Sequence, residues 1–176
     1  MTATWTAPRT WANNELVSDS LLNTHLRDNL DWFYARRLDV LHYEDQKASG
    51  TAPAAIAAGA WRTRELNTEV IDTGNFGTLG TNQVSLASGI YLAWFNCPVG
   101  SGAQNRARLR NVTDGVTLAT SPGGYAGHTG FGRFVLAATK SLELQHWIPA
   151  GANGGTAMTS GESEIYAQLV LLRLGD

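Results

Sequence analysis

A single cysteine, Cys97, occurs among the 176 residues, so no disulfide can close within the chain and no multi-cysteine metal site can be assembled from it. A lone thiol in a globular protein usually serves as a small buried hydrophobe, and Cys97 is read that way. Charge is scarce as well. Asp, Glu, Lys and Arg make up 16% of the residues, against about 25% in ordinary soluble domains. The net charge of −2 leaves no electrostatic footprint for nucleic acid or an anionic membrane. No stretch reaches the roughly 20 apolar residues needed for membrane insertion. Residues 1–9 lack a basic start leading into an apolar run, so no signal peptide is expected. Synthesis in the cytoplasm is therefore expected, and an unmodified Asn111-Val112-Thr113 sequon.

The residues that carry chemistry are thinly spread. His25, His42, His128 and His146 are far apart in sequence, and none sits in an H-x-H or H-E-x-x-H setting. His128, in the glycine-rich stretch, could still face His146 in space. That leaves a metal-dependent jelly-roll enzyme as a remote rival, although no metal and no cofactor is expected. Asp28/Asp31 and Glu162/Glu164 read as solvated carboxylates. The glycine-rich stretch ends in Gly132-Arg133-Phe134 rather than in the Gly-Lys-Ser/Thr of a phosphate cradle. No G-x-S-x-G elbow presents a nucleophile. The expectation is a protein that is not an enzyme.

What the sequence does contain is organised in three parts. Residues 1–44 form an arm and a helix, with Trp5, Pro8 and Trp11 in a segment that has no period of its own. Either these rings dock on another protein or they fold back onto the helix that follows. That helix is expected from Ser18 to about Leu41, with Ser18 or Ser20 as N-cap and Asp19 favouring the dipole. Leu22, Leu26, Leu30 and Phe33 form one stripe along it. The heptad reading places Asn23 and Arg37 among the core positions, so a bundle between chains and simple packing on a neighbour both stand. Residues 45–60, small and turn-prone, read as a linker.

From Trp61 onward, short β-rich runs alternate with Gly, Asn and Asp, as expected of a sandwich. Strands are expected near 61–65, 68–72, 83–87, 89–97, 105–111, 115–119, 131–138, 140–148 and 163–174. Gly89–Cys97 is apolar throughout, so it is expected to be central and covered on both faces. Asp114-Gly115 signals a hairpin turn, and Pro122–Gly132 reads as a glycine-rich loop. The fold class is mainly β: an antiparallel jelly-roll sandwich over 61–176, preceded by an N-terminal arm and one α-helix.

Two stretches resemble known families. Trp5, Pro8-Arg9-Thr10-Trp11, Glu15-Leu16-Val17 and Leu22-Asn23-Thr24-His25-Leu26-Arg27-Asp28-Asn29-Leu30 resemble the N-terminal segment of tailed-bacteriophage structural proteins. The resemblance implies docking onto other capsid or tail proteins through Trp5, Pro8, Trp11, Leu22, Leu26, Leu30 and Phe33, and localisation in the virion. Residues 61–174 are similar to the jelly roll of the complement-collagen and tumour-necrosis-factor class. The likeness is carried by Trp61, Asn67, Asp72, Gly89-Ile90-Tyr91, Arg108 to Asn111, Leu142-Glu143-Leu144 and Ser163 to Tyr166. The Gly-Asp turn usual in that class is replaced by Thr139-Lys140-Ser141. This likeness implies a homotrimer packed by its inner sheets, with Tyr91, Trp94, Tyr166 and Leu169 as candidates to line the axis. The expected role is a structural virion protein, in capsid decoration or in a tail fibre or spike. The alternative is a module at a fibre tip that binds a host surface glycan or receptor through the Gly120s loop and the Pro149–Ser160 loop, with Asn153 and Met158.

Overall fold

The computed structural model describes residues 5–34, 38–100, 104–125 and 127–175. The chain divides into two compact units that meet between Leu38 and Asp39.

In the first unit, Ser18 caps the helix by accepting the Leu21 N–H at 3.2 Å. The helical stretch runs as α1 (Asp19–Leu22), a π-helical turn (Asn23–Arg27) and α2 (Asp28–Tyr34). The buried Asn29 amide pins the arm to it. Its Oδ1 accepts the Thr6 N–H at 2.9 Å, and its Nδ2 donates to the carbonyls of Thr6 at 3.0 Å and His25 at 3.2 Å. A side-chain amide thus pairs with arm backbone as a neighbouring strand would. Trp5 lies 5.2 Å from the Trp32 ring and 5.3 Å, edge-on, from Phe33. Trp11 meets His25 edge-on at 6.0 Å. The arm's aromatics therefore fold back onto the chain's own helix, in the arrangement that lowers the cost of leaving them wet.

The helix does not extend to Leu41. By Asp39 the backbone is extended and the period has switched to two. Arg37, a core position of the heptad reading, lies outside the described residues.

The second unit contains β1 (Asp39–Lys47), β2 (Ala55–Ile56), β3 (Arg62–Thr63), β4 (Thr68–Asp72), β5 (Gly77–Leu79), β6 (Val84–Leu86) and β7 (Gly89–Cys97). These are followed by β8 (Arg106–Asn111), β9 (Val116–Thr120), β10 (His128–Leu136), β11 (Lys140–Trp147), β12 (Ala152–Asn153) and β13 (Glu164–Gly175). One antiparallel sheet has the order β10-β7-β13-β1-β4. The other has the order β5-β6-β11-β8-β9, with β3 on β11. Leu41, Tyr43, Tyr91, Phe95, Leu109, Leu142, Leu144, Leu169 and Leu171 fill the space between them. The result is a jelly-roll sandwich.

Every expected strand has a counterpart, but the boundaries expected at 44/45 and 60/61 are corrected. Asp39–Lys47 is an inner strand of the first sheet, paired with β13 on one side and β4 on the other. The segment read as a linker is held by the domain. Ala55-Ile56 pairs with Ala152-Asn153, the Thr51 carbonyl accepts from Tyr166 Oη at 2.9 Å, and Ser49 Oγ accepts the Gly161 N–H at 3.0 Å. The glycine-rich stretch is only partly loop, because Gly130 and Gly132 lie within β10. A Cβ on Gly130 would stand 2.0 Å from the Phe95 ring, and one on Gly132 would stand 2.6 Å from Ala119 Cβ. Absence of a side chain is what lets these strands approach. Asp114-Gly115 does turn the β8–β9 hairpin, with Gly115 at φ 69° and Asn111 bonded to Asp114 through both side-chain amide atoms.

Cys97 is fully buried, and burial pushes its thiol up to about 11. His146 is also fully buried, with Nε2 2.8 Å from Asn105 Oδ1. Burial first, then the charges of Arg64 and His128, hold this imidazole down to about 4 from an ordinary 6.5. Between those two values the unfolded chain takes up a proton that the folded chain refuses. Stability from this group is therefore full above pH 6.5 and falls on acidification toward pH 4, by about 3 kcal/mol at the upper limit. Urea midpoints at pH 7 and pH 4.5 are expected to differ by less in His146→Gln than in the wild type. An equal pH shift in both would show that other groups govern acid sensitivity.

Candidate assembly surfaces

Strand β7 is apolar on both sides, yet the protomer covers only one. Tyr91, Ala93, Phe95 and Cys97 point into the sandwich, while Ile90, Leu92 and Trp94 point out. Trp94 pairs in register with Phe131 of β10, their rings 5.1 Å apart and T-shaped. Trp94, Phe131 and Val135 are 53%, 54% and 58% exposed. Val170 and Leu172 of β13 continue this face toward β1. Within it sits a polar island. The Glu44 carboxylate, itself buried, accepts from Gln46 Nε2 at 2.6 Å and Gln168 Nε2 at 2.8 Å, and lies 2.9 Å from His42 Nε2. A sheet face of this composition is what an obligate interface presents, apolar with satisfied polar groups.

Of the four residues expected to line an axis between subunits, only Trp94 is on this face. Tyr91 and Leu169 are 0% exposed and Tyr166 is 2% exposed, so all three belong to the core of one protomer. Tyr91 and Trp94 are three apart in a regular strand, and the period of two puts them on opposite faces. Tyr166 and Leu169 are also three apart, but both point inward because β13 carries a bulge: Asp45 pairs with Ala167 and Gln46 with Ile165, leaving Tyr166 extra. Phe131, Val135 and Ile90 were missed. The alternation within Phe131–Leu136 was the signal that could have found two of them.

In the first unit, Leu22, Leu26, Leu30 and Phe33 are all exposed, as are Trp5, Trp11 and Pro8. Arg9 stacks on Trp11 at 4.8 Å and pairs with Glu15.

The other sequence-level candidates separate. Glu164 is not a solvated carboxylate. It is buried, and its Oε1 accepts the N–H groups of Gly50 at 2.9 Å and Met158 at 2.8 Å, tying the Pro149–Ser160 loop to the segment before β2. Asp28 is half-buried and pairs with the exposed Arg27. The Gly120s loop packs by Gly127 against Pro98 and by Gly124 against Asn105, whereas the loop with Asn153 and Met158 packs on residues 49–56. Among the described residues, no group of three or more His, Cys, Asp or Glu is placed to hold a metal. Among them, no helix is long and apolar enough to cross a membrane.

No protein-family model and no curated protein matches the chain. Solved structures do. Murine APRIL is similar at 15% identity with a TM-score of 0.53, covering 78% of this chain and 100% of that one. The PRD1 vertex protein P5 is similar at 18% identity with a TM-score of 0.51, covering 78% and 97%. Eiger TNF from S. frugiperda is similar at 13% identity with a TM-score of 0.51, covering 80% and 95%. At such identities the likeness establishes the fold alone, an antiparallel jelly-roll sandwich.

Proposed function

We propose that the chain is a non-enzymatic structural protein of a bacteriophage particle, anchored through its first unit and homotrimeric through the outer face of the β10-β7-β13-β1-β4 sheet. The observation that carries the reading is β7. An apolar strand with Trp94 exposed and Ile90 and Leu92 half-buried on its outer side, beside the exposed Phe131 and Val135, leaves a surface that a folded monomer has no reason to keep. Self-association covers it without requiring a second gene product, and a closed three-fold ring leaves no open end for further growth. The likeness to a phage vertex protein, and the Trp5-to-Leu30 segment, support the virion as the setting. The exposed stripe Leu22, Leu26, Leu30 and Phe33 is then the face offered to the capsid or tail. Light scattering on a sizing column is expected to give three times the 18.9 kDa chain mass. A monomer at micromolar concentration would overturn the reading.

A further inference from the structure

On the outer face of the second sheet, where β8, β11, the approach to β3 and the β9–β10 loop meet, lies a cleft of about 470 Å³. Its walls are the rings of Trp61, Trp147 and Tyr125 and the polar side chains of Gln104, Asn105 and Arg106, with Gly123 and Gly124 between. The volume falls in the usual range for small-ligand sites. Among the described residues that line it, Arg106 is the only charged one. Two further arginines, Arg108 and Arg110, follow along the same side of β8. Arg108 stacks on Trp61 at 4.1 Å, and its pKa is held below the ordinary arginine value by burial and then by the charge of Arg110. Glu143 faces Arg110 across the β8–β11 ladder, and three arginines against this carboxylate leave the side of the cleft positive.

The cleft is built, not incidental. Asn105 and Gly124 exchange two backbone hydrogen bonds, at 2.7 and 3.2 Å, and the buried Asn105 side chain is held by His146 beneath. Gln104 Nε2 donates to Tyr125 Oη at 2.8 Å, and Ser121 closes the loop onto Ala107 through 2.9 Å bonds in both directions. A Cβ on Gly124 would meet His128 at 2.9 Å, and one on Gly123 would meet the Arg106 guanidinium at 3.2 Å. Glycine at both positions lets the loop lie close to its neighbours.

We propose that this cleft binds an acidic saccharide, the aromatic rings stacking on the sugar's C–H face and Arg106 holding its carboxylate or phosphate. Flat aromatic walls suit a ring with an apolar face. Planar amides and a guanidinium at the rim suit hydroxyls and an anion. The site is complete within one protomer, so it does not rest on the trimer. In a trimer it would be repeated three times, with the gain in avidity that repetition gives.

The test is ligand-observed saturation-transfer NMR on the full chain, with uronate-, sialate- and phosphate-bearing oligosaccharides, their neutral counterparts, and AMP. Saturable binding is expected for an acidic sugar, at least tenfold tighter than for its neutral counterpart. Whether the uronate and sialate probes or the phosphate probe binds identifies the source of the anion. Arg106→Gln, an exposed position, is expected to abolish that tenfold preference, and Trp147→Ala to weaken binding of acidic and neutral sugars alike. Arg133→Gln, exposed on the other sheet, is expected to leave binding unchanged. No saturable binding by any sugar, equal binding of acidic and neutral sugars, or AMP binding more tightly than all of them would overturn the proposal.

Discussion

Gly130→Ala is expected to be among the most destabilising single-methyl additions in the molecule. Gly130 and Phe95 face each other in the β10–β7 ladder, and the Phe95 ring, 1% exposed, lies flat over the glycine. The added methyl would stand 2.0, 2.3 and 2.6 Å from three ring atoms. Ordinary contact needs more than a further ångström, so the ring must move into a core already filled by its neighbours. Overpacking of this kind costs about 1–3 kcal/mol, sometimes more. The lower entropy of the unfolded alanine chain offsets only about 0.4–1 kcal/mol. A net loss of about 2 kcal/mol, or roughly 4–8 °C in Tm for a chain of this size, is expected. Gly80→Ala is the comparison. Its Cβ would make an ordinary 3.7 Å contact with the Gln83 carbonyl, and a change within about 0.5 kcal/mol is expected. Equal thermal midpoints for the two variants would mean that Phe95 has somewhere to go, and that the glycine is not what sets the β7–β10 approach.

The same geometry explains what could be read from the sequence and what could not. Most of the nine expected strands were legible because they are bounded by turn residues and carry β-branched or aromatic side chains, although 105–111 has neither kind. Asp114-Gly115 and the Ser18 cap were legible because each meets a backbone requirement that few residues satisfy. Strand β1 was not. Asp39–Lys47 carries His42, Glu44 and Asp45, residues that argue against a buried inner strand when seen alone. They are tolerated because Gln46, Gln168, Lys47 and Asn67, from this strand and others, satisfy them. No local pattern contains those partners. Glu164 was misread for the same reason, since its two donors come from Gly50 and Met158. The bulge at Tyr166 reverses the parity of β13 at one point, so that residue went to the core against the simple alternation. Strand β7, expected to be covered on both faces, has one face that its own chain leaves partly bare. The apolarity of the strand was visible, whereas its cover depends on which strands lie behind it. The aromatic cleft draws Trp61, Asn105, Tyr125 and Trp147 from four separate stretches. Its assembly follows from sheet order, which no single stretch specifies.

Trp94→Glu is expected to leave the chain monomeric and still folded. In one protomer the side chain projects outward and is more than half exposed, touching chiefly Phe131, so the isolated domain loses little by exchanging the indole for a solvated carboxylate. In the proposed trimer the same position is buried in three copies, and each carboxylate would lose its water without a cation opposite. Arg133, beside Leu92 in the β10–β7 ladder, is exposed on the same face. The substitution is therefore made in an Arg133→Gln background, where the carboxylates have Glu44, of like sign, and no arginine beside them. An unpaired buried charge costs several kcal/mol, which three symmetric copies multiply, and the association equilibrium would fall by many orders of magnitude. Trp94→Phe keeps the apolar contact and is expected to remain trimeric. Mass by light scattering then separates assembly from folding, provided thermal unfolding is followed in the same samples. A Trp94→Glu protein that is monomeric with a thermal midpoint close to that of a dissociated wild-type chain supports the sheet-face trimer. A Trp94→Glu protein that stays at three times the chain mass removes this face from the interface and moves assembly to the helix that carries Leu22, Leu26 and Leu30.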